Sequence, residues 1–291
     1  LWGRGTADMK SFIAIVLALV PEFLERGLKT PIHLAFSYDE EVGCIGVRRL
    51  IEKLKDMPVR PAMCIVGEPT SMEVVTGHKG KRSFIANVRG LESHSALAPL
   101  GVNAVEYAAE LITYMKNMAR RIEAEGPFDE LYEITHTTVH TGVISGGVQL
   151  NIVPNACRVE FEFRYLANND PDALEAEIRE YAKDTLEPKM HAVSAETGID
   201  IECYNDMPGL EMDPGEDVVA FVKALAGRND HAKVAFGTEA GLFHTRVQIP
   251  TVVCGPGDIA VAHKPNEFIP LDQIARGEDF MLRLLEEVSA D

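Results

Sequence analysis

The apolar residues Phe12, Ile13, Ile15, Val16, Leu19, Val20 and Phe23 recur at helical spacing, and Gly27 supplies a stop. The run 32–38 reads as a buried strand that ends on Asp39-Glu40-Glu41. A helix over 45–55 and a strand over 62–66 follow. This alternation predicts a sheet at least partly parallel, with helices on its faces. After Thr76 the pattern changes. A half-exposed strand over 82–88, a helix over 103–118, strands over 138–144 and 156–165, a helix over 171–186 and a strand over 199–204 give the β-α-β-β-α-β order of ferredoxin-like units. From about Met207 the α/β alternation returns: helix 216–226, strand 233–236, helix 240–245, strand 251–254 and helix 271–288. The expected fold is therefore α/β, an open mixed sheet with helices on both faces, interrupted by an inserted ferredoxin-like α+β domain. The first domain takes 1–76 and 207–291, and the second 77–206.

Composition narrows the function classes. The chain has 291 residues, 46% hydrophobic and 25% charged, as in ordinary globular proteins. A net charge of −17 excludes nucleic acid and anionic membranes as partners, since no basic surface offsets phosphate repulsion. Five cysteines without CxxC spacing, mostly in apolar runs, point to buried free thiols in a reducing cytoplasm. No signal peptide and no run of 18 apolar residues is present.

Four segments carry carboxylates or histidine: Gly3-Arg4-Gly5-Thr6-Ala7-Asp8-Met9-Lys10, Asp39-Glu40-Glu41-Val42-Gly43, Gly67-Glu68-Pro69-Thr70 and Ala262-His263-Lys264-Pro265-Asn266-Glu267. Carboxylate oxygen and imidazole nitrogen are the ligands that suit Zn²⁺ or Co²⁺ in a hydrolytic site. Alone, Asp8 is as easily a helix cap. Adjacent Glu40 and Glu41 on extended backbone would point to opposite sides, which suits one as ligand and the other as base.

Together, these segments resemble the acetylornithine deacetylase, succinyl-diaminopimelate desuccinylase and glutamate-releasing carboxypeptidase family of metal-dependent amidohydrolases. The resemblance runs from Gly3 to about Ile269, and the segments Phe236–Phe243 and Val253–Asp258 are most similar to its acetylornithine deacetylase branch. It implies two Zn²⁺ ions per subunit, with Co²⁺ as an alternative. Asp8 would bridge both, Glu41 and His263 would complete one and Glu68 would serve the other. It also implies a cis peptide at Asp8-Met9. Glu40 would be the general base. His94, in the inserted domain, would stabilise the oxyanion in a partner subunit, which makes the protein a homodimer through that lid. Asn151 and Arg164 resemble a pair that holds the substrate near its carboxylate. Gly237 and Glu239 would line the substrate site, with Glu239 toward a side-chain ammonium.

The expected reaction is deacetylation of N²-acetylornithine to ornithine and acetate in arginine biosynthesis, in the cytoplasm. Desuccinylation or aminoacyl-peptide cleavage is the alternative within the family. A metal-binding dimerisation module without chemistry is the alternative outside it, and Glu40 beside Glu41 argues against that. One departure stands out. The family opens with a His-x-Asp motif whose histidine is a ligand, and this chain starts at Leu1, just upstream of Asp8. The chain is therefore expected to lack roughly the first quarter to third of its parent protein, with the second metal here short of one histidine. The 291-residue chain should then hold one metal well and turn over little.

Overall fold

The computed structural model describes residues 1–289. Its helices are α1 (Lys10–Ala18), α2 (Val20–Arg26), α3 (Val47–Lys55), α4 (Ala104–Glu125), α5 (Pro171–Glu180), α6 (Glu187–His191), α7 (Asp217–Ala226), α8 (Ala240–Val247) and α9 (Leu271–Ser289). The strands are β1 (Cys64–Val66), β2 (Val75–His78), β3 (Gly80–Arg89), β4 (Thr138–Gly146), β5 (Ala156–Tyr165), β6 (Gly198–Met207), β7 (Leu210–Glu211), β8 (Ala232–Val234) and β9 (Thr251–Val253). The chain divides into two compact units, Leu1–His78 with the chain from Pro208 onward, and Lys79–Met207. These limits lie close to the 76/77 and 206/207 at which the pattern changes.

The first unit is α/β around a mixed five-stranded sheet. Its order is β1-β9-β2-β7, and β8 also pairs with β2. β1 runs parallel to β9 and β8 parallel to β2, while β7 and β9 meet β2 antiparallel. Ile15, Val16 and Phe23 from the first two helices, with Leu19 between them, join Val219, Val222, Phe280 and Leu285 in its core. One continuous helix was expected over the amino-terminal run, and it breaks at Leu19. Pro21, in the first turn of α2, has no N–H to continue the ladder.

One expectation for this unit fails, and one strand was not foreseen. Residues 32–38 form no strand, and Leu34, Phe36 and Tyr38 are 39%, 52% and 53% exposed. A strand is a pairing property, and among the described residues no ladder partner lies beside this run. The converse error is β2. Only four residues long, it is buried throughout and pairs with three other strands.

The second unit is β3-α4-β4-β5-α5-β6 with sheet order β4-β5-β3-β6, every pair antiparallel. Alternation explains its core: Phe84, Ala86 and Val88 on β3 and Val159, Phe161 and Phe163 on β5 are buried, whereas Asn87, Arg89 and Arg158 are exposed. Leu111, Met115, Met118 and Ile122 of α4 form the facing stripe. Asn103 caps α4 by accepting from the backbone N–H groups of Val105 and Glu106 at 3.1 and 3.2 Å. Among the described residues no helix is long and apolar enough to cross a membrane.

Candidate metal centre

Three loops of the first unit bring acids to one point. Asp8 ends the turn before α1, and the Asp8-Met9 peptide is cis. Glu40 and Glu41 sit in a turn entered through Asp39 at φ 56° and closed by Gly43 and Cys44, whose N–H groups donate to the Glu40 carbonyl at 2.9 and 2.8 Å. His263 also takes a left-handed φ, 57°. Its Nε2 lies 3.1 Å from Asp8 Oδ2 and 2.9 Å from Glu41 Oε2. The ligand atoms of Asp8, Glu41 and His263 all fall within 4.8 Å of one another. Tetrahedral zinc with bonds of about 2.0–2.1 Å places its ligand atoms about 3.3 Å apart, so this donor set fits a divalent ion.

Glu68 also interacts with Asp8. It follows β1, is buried, and its carboxyl shares a hydrogen bond with that of Asp8. The backbone here is packed too closely for side chains. A Cβ on Gly67 would lie 2.2 Å from the Phe12 ring, and one on Gly255 would lie 2.3 Å from the Gly67 carbonyl oxygen. Asp8 is linked both to the Glu41–His263 pair and to Glu68.

The electrostatics follow from crowding anions together. Burial, then Glu41, raises the Asp8 carboxyl, and His263 opposes this. Burial raises that of Glu68 well above the usual range, with Asp8 adding to the effect. Glu40 is pushed up to about 7, first by burial and then by Glu41, Glu239 and Asp8. The Cys44 thiol, fully buried, opposes the shift by donating to Glu40 Oε1 at 3.4 Å. Burial and a local deficit of positive charge thus raise these carboxyls together.

That deficit predicts a pH dependence. A carboxyl whose folded pKa is raised binds more protons folded than unfolded. Metal-free protein should therefore lose stability as pH rises from about 4.5 to about 7, the Glu40 window. Thermal melts in chelator across this range should show Tm falling, and added Zn²⁺ at pH 7.5 should raise it. A metal-free Tm that climbs steadily from pH 5 to 7.5 would contradict the reading.

Glu239 is the helix N-cap residue of α8, with Gly237 in the turn before it. It is 8% exposed, and its Oε1 has no hydrogen-bond partner. The start of α8 is fixed by two bonds, Ala240 N–H to Thr238 Oγ1 at 3.1 Å and Gly241 N–H to buried His78 Nε2 at 3.2 Å.

The remaining expected residues lie in the second unit. His94 and Asn151 are on adjoining exposed loops: Ser95 N–H donates to the Asn151 carbonyl at 3.0 Å, and His94 bridges Ile152. Arg164 does not join them. It sits at the far end of β5 and its Nε donates to Glu162 Oε1 at 3.0 Å. From Ala156 to Arg164 the strand covers roughly 27 Å at about 3.4 Å per residue. A spacing of thirteen residues did not reveal that a hairpin arm intervenes. A cavity of about 860 Å³ opens beside Asn87, Arg89, Gly146, Asn155, Arg158 and His191. It belongs to this unit, so volume does not mark the acid cluster; the ligand atoms do.

Comparison with known proteins decides the family. The model of peptidase family M20/M25/M40 matches residues 1–287. The chain belongs to this family. It is 33% identical to the acetylornithine deacetylase of Myxococcus xanthus over 283 residues, 97% of this chain and 71% of that protein. The acetylornithine deacetylase of Shigella sonnei is 30% identical over 285 residues, 98% and 71% of the two chains. Among solved structures, aminopeptidase PepT from Bacillus cereus superposes with a TM-score of 0.74 at 24% identity, covering 98% of this chain and 72% of that one. A tripeptidase from Staphylococcus aureus gives 0.76 at 22%, covering 97% and 71%. As an M20 member, the chain is a hydrolase of amide bonds.

Two contributors escaped the sequence reading, Cys44 and Glu267. A buried thiol four residues after a candidate base was a usable signal. Glu267 had one too, since it closes the segment that begins at His263.

Proposed function

We propose that the chain removes the acetyl group from N²-acetylornithine, releasing ornithine and acetate, at a centre built on Asp8, Glu41, Glu68 and His263. The observation that carries this reading is the convergence of Asp8, Glu41 and His263 beside a half-buried Glu40 whose carboxyl is pushed up to about 7. The deacetylase names of its relatives direct the choice of acyl group and amino acid. Asp8, Glu41 and His263 would hold one divalent ion, and Asp8 with Glu68 a second. Such ions, Zn²⁺ or Co²⁺, supply Lewis acidity toward the amide carbonyl and acidify the attacking water.

The chain's own groups do the rest. Glu40 takes the proton of the water and returns it to the leaving amine. His94 Nδ1 accepts from Ala96 N–H at 3.1 Å, which leaves the proton on its exposed Nε2. That donor suits a developing oxyanion, and we assign it to the site of a partner subunit in a dimer formed through the second unit, the lid. Asn151 travels with His94 and would meet the substrate. Glu239, with Gly237, is the carboxylate assigned to the side-chain ammonium.

The test is release of ornithine from N-acetyl-L-ornithine by the 291-residue chain in Zn²⁺ or Co²⁺. The rate is expected to be low, because Asp8 and Glu68 are the second ion's only assigned ligands. It should exceed the rates with N-succinyl-diaminopimelate and with tripeptides, vanish in chelator, and fall in His94→Ala. Metal-dependent cleavage of tripeptides in preference to N-acetylornithine would overturn the substrate assignment.

A further inference from the structure

We propose that Glu267 is the positioning residue of the metal centre: its carboxylate, carried on the His263 loop, holds the backbone of the Asp8 loop in the conformation that lets Asp8 and His263 share an ion. This rests on the metal-site reading above. Glu267 Oε1 accepts from the backbone N–H of Ala7 at 3.0 Å and of Asp8 at 3.2 Å. The N–H of Gly5 is directed at the same carboxylate. Oε2 accepts from Arg4 Nη1 at 2.9 Å, and Arg4 Nη2 donates to the Lys264 carbonyl at 3.3 Å. The Glu267 side chain is 2% exposed, while that of Arg4 is 63% exposed.

A buried carboxylate is costly unless it is fully bonded, and this one is. Burial works against its charge, yet the N–H groups of Gly5, Asp8 and Ala7, with Arg4, hold its carboxyl below the usual range. Successive N–H groups turned toward one anion form a nest, and here the anion is internal. The two chain stretches are also zipped by backbone. Gly3 N–H donates to the Glu267 carbonyl and Ile269 N–H to that of Leu1, each at 2.9 Å.

Placement distinguishes this from a simple staple. One of the gripped N–H groups belongs to Asp8 itself, whose Oδ2 lies 3.1 Å from His263 Nε2. The other end of the grip is four residues from His263, in a stretch where His263 and Asn266 both take left-handed φ, 57° and 62°. Releasing the carboxylate frees the Asp8 loop at the point where its ligand oxygen is aimed. Groups that orient metal ligands in this way commonly cost 10–100-fold in affinity when replaced.

The experiment titrates Zn²⁺ alone into the metal-free 291-residue chain by chelator competition and records Co²⁺ visible spectra. Wild type, Glu267→Ala and Glu267→Gln are compared, with Tm measured before metal is added. Glu267→Ala should bind Zn²⁺ about 10–100-fold more weakly and shift the Co²⁺ bands. Glu267→Gln keeps one oxygen for the Ala7 and Asp8 N–H groups but turns an amide toward Arg4, so it should fall between. A folded Glu267→Ala that binds within twofold of wild type, with an unchanged Co²⁺ spectrum, overturns the proposal. If Glu267→Ala does not fold, Glu267→Gln decides: weakened binding with a shifted spectrum supports the proposal, and wild-type behaviour overturns it. Wild type that binds no metal would instead overturn the metal-site reading, and this inference with it.

Discussion

Replacing Glu40 by Gln is expected to lower amide hydrolysis by about 10²–10⁴-fold while Zn²⁺ affinity stays within a few-fold of wild type. The substitution keeps the size of the side chain and an oxygen for the Cys44 thiol, which lies 3.4 Å from Glu40 Oε1. It removes the group that accepts the proton. Burial and the anions around it raise the Glu40 carboxyl, so it sits in the poorly solvated surroundings where a general base is tuned. Binding without turnover would separate base from ligand. Turnover retained within threefold in Glu40→Gln would transfer the role elsewhere, and a large loss of Zn²⁺ affinity would make Glu40 a ligand.

Asp8→Ala should be the most damaging substitution for metal uptake, with Zn²⁺ affinity falling by about a hundredfold or more, beyond the loss expected for an orienting group. Asp8 touches the Glu41–His263 pair through His263 Nε2 at 3.1 Å and shares a hydrogen bond with Glu68. Glu68→Ala, by contrast, leaves the Asp8–Glu41–His263 set intact and should spare the tighter ion. Isothermal titration with Zn²⁺ ranks the two. Equal losses in both variants would contradict the bridging position of Asp8.

Amphipathic periodicity made most helices legible. The stripe of α4 and the closing α9 needed only their apolar spacing, because a helix satisfies its backbone within itself. Strands were less secure for the opposite reason. The run 32–38 carries the composition of a buried strand, yet pairing is decided by what lies alongside it, and no local pattern encodes that. β2 is the mirror case: four residues including a histidine gave no periodic signal, although the sheet is built around them. The switch to ferredoxin-like order was legible as a sequence of element types, since each element there is long enough to show its period.

The acid cluster was legible mainly through motif resemblance. Asp8, Glu41, Glu68 and His263 come from separate loops, and nothing in their spacing along 263 positions states that they meet. Arg164 adds a contact that its motif did not announce: its Nε donates to Glu162, two residues back on β5. Glu267 shows the same. In sequence it is one acid in a polar loop, and only the fold reveals that its carboxylate faces three backbone N–H groups.

The central claim is that Asp8, Glu41 and His263 ligate one divalent ion. Crystals of the chain soaked in Co²⁺, with diffraction collected on either side of the cobalt absorption edge, test it most directly. The account predicts an anomalous peak about 2.0–2.2 Å from Asp8 Oδ2, Glu41 Oε2 and His263 Nε2. Cobalt bound only elsewhere, with His263 still paired to the two carboxylates, would contradict it.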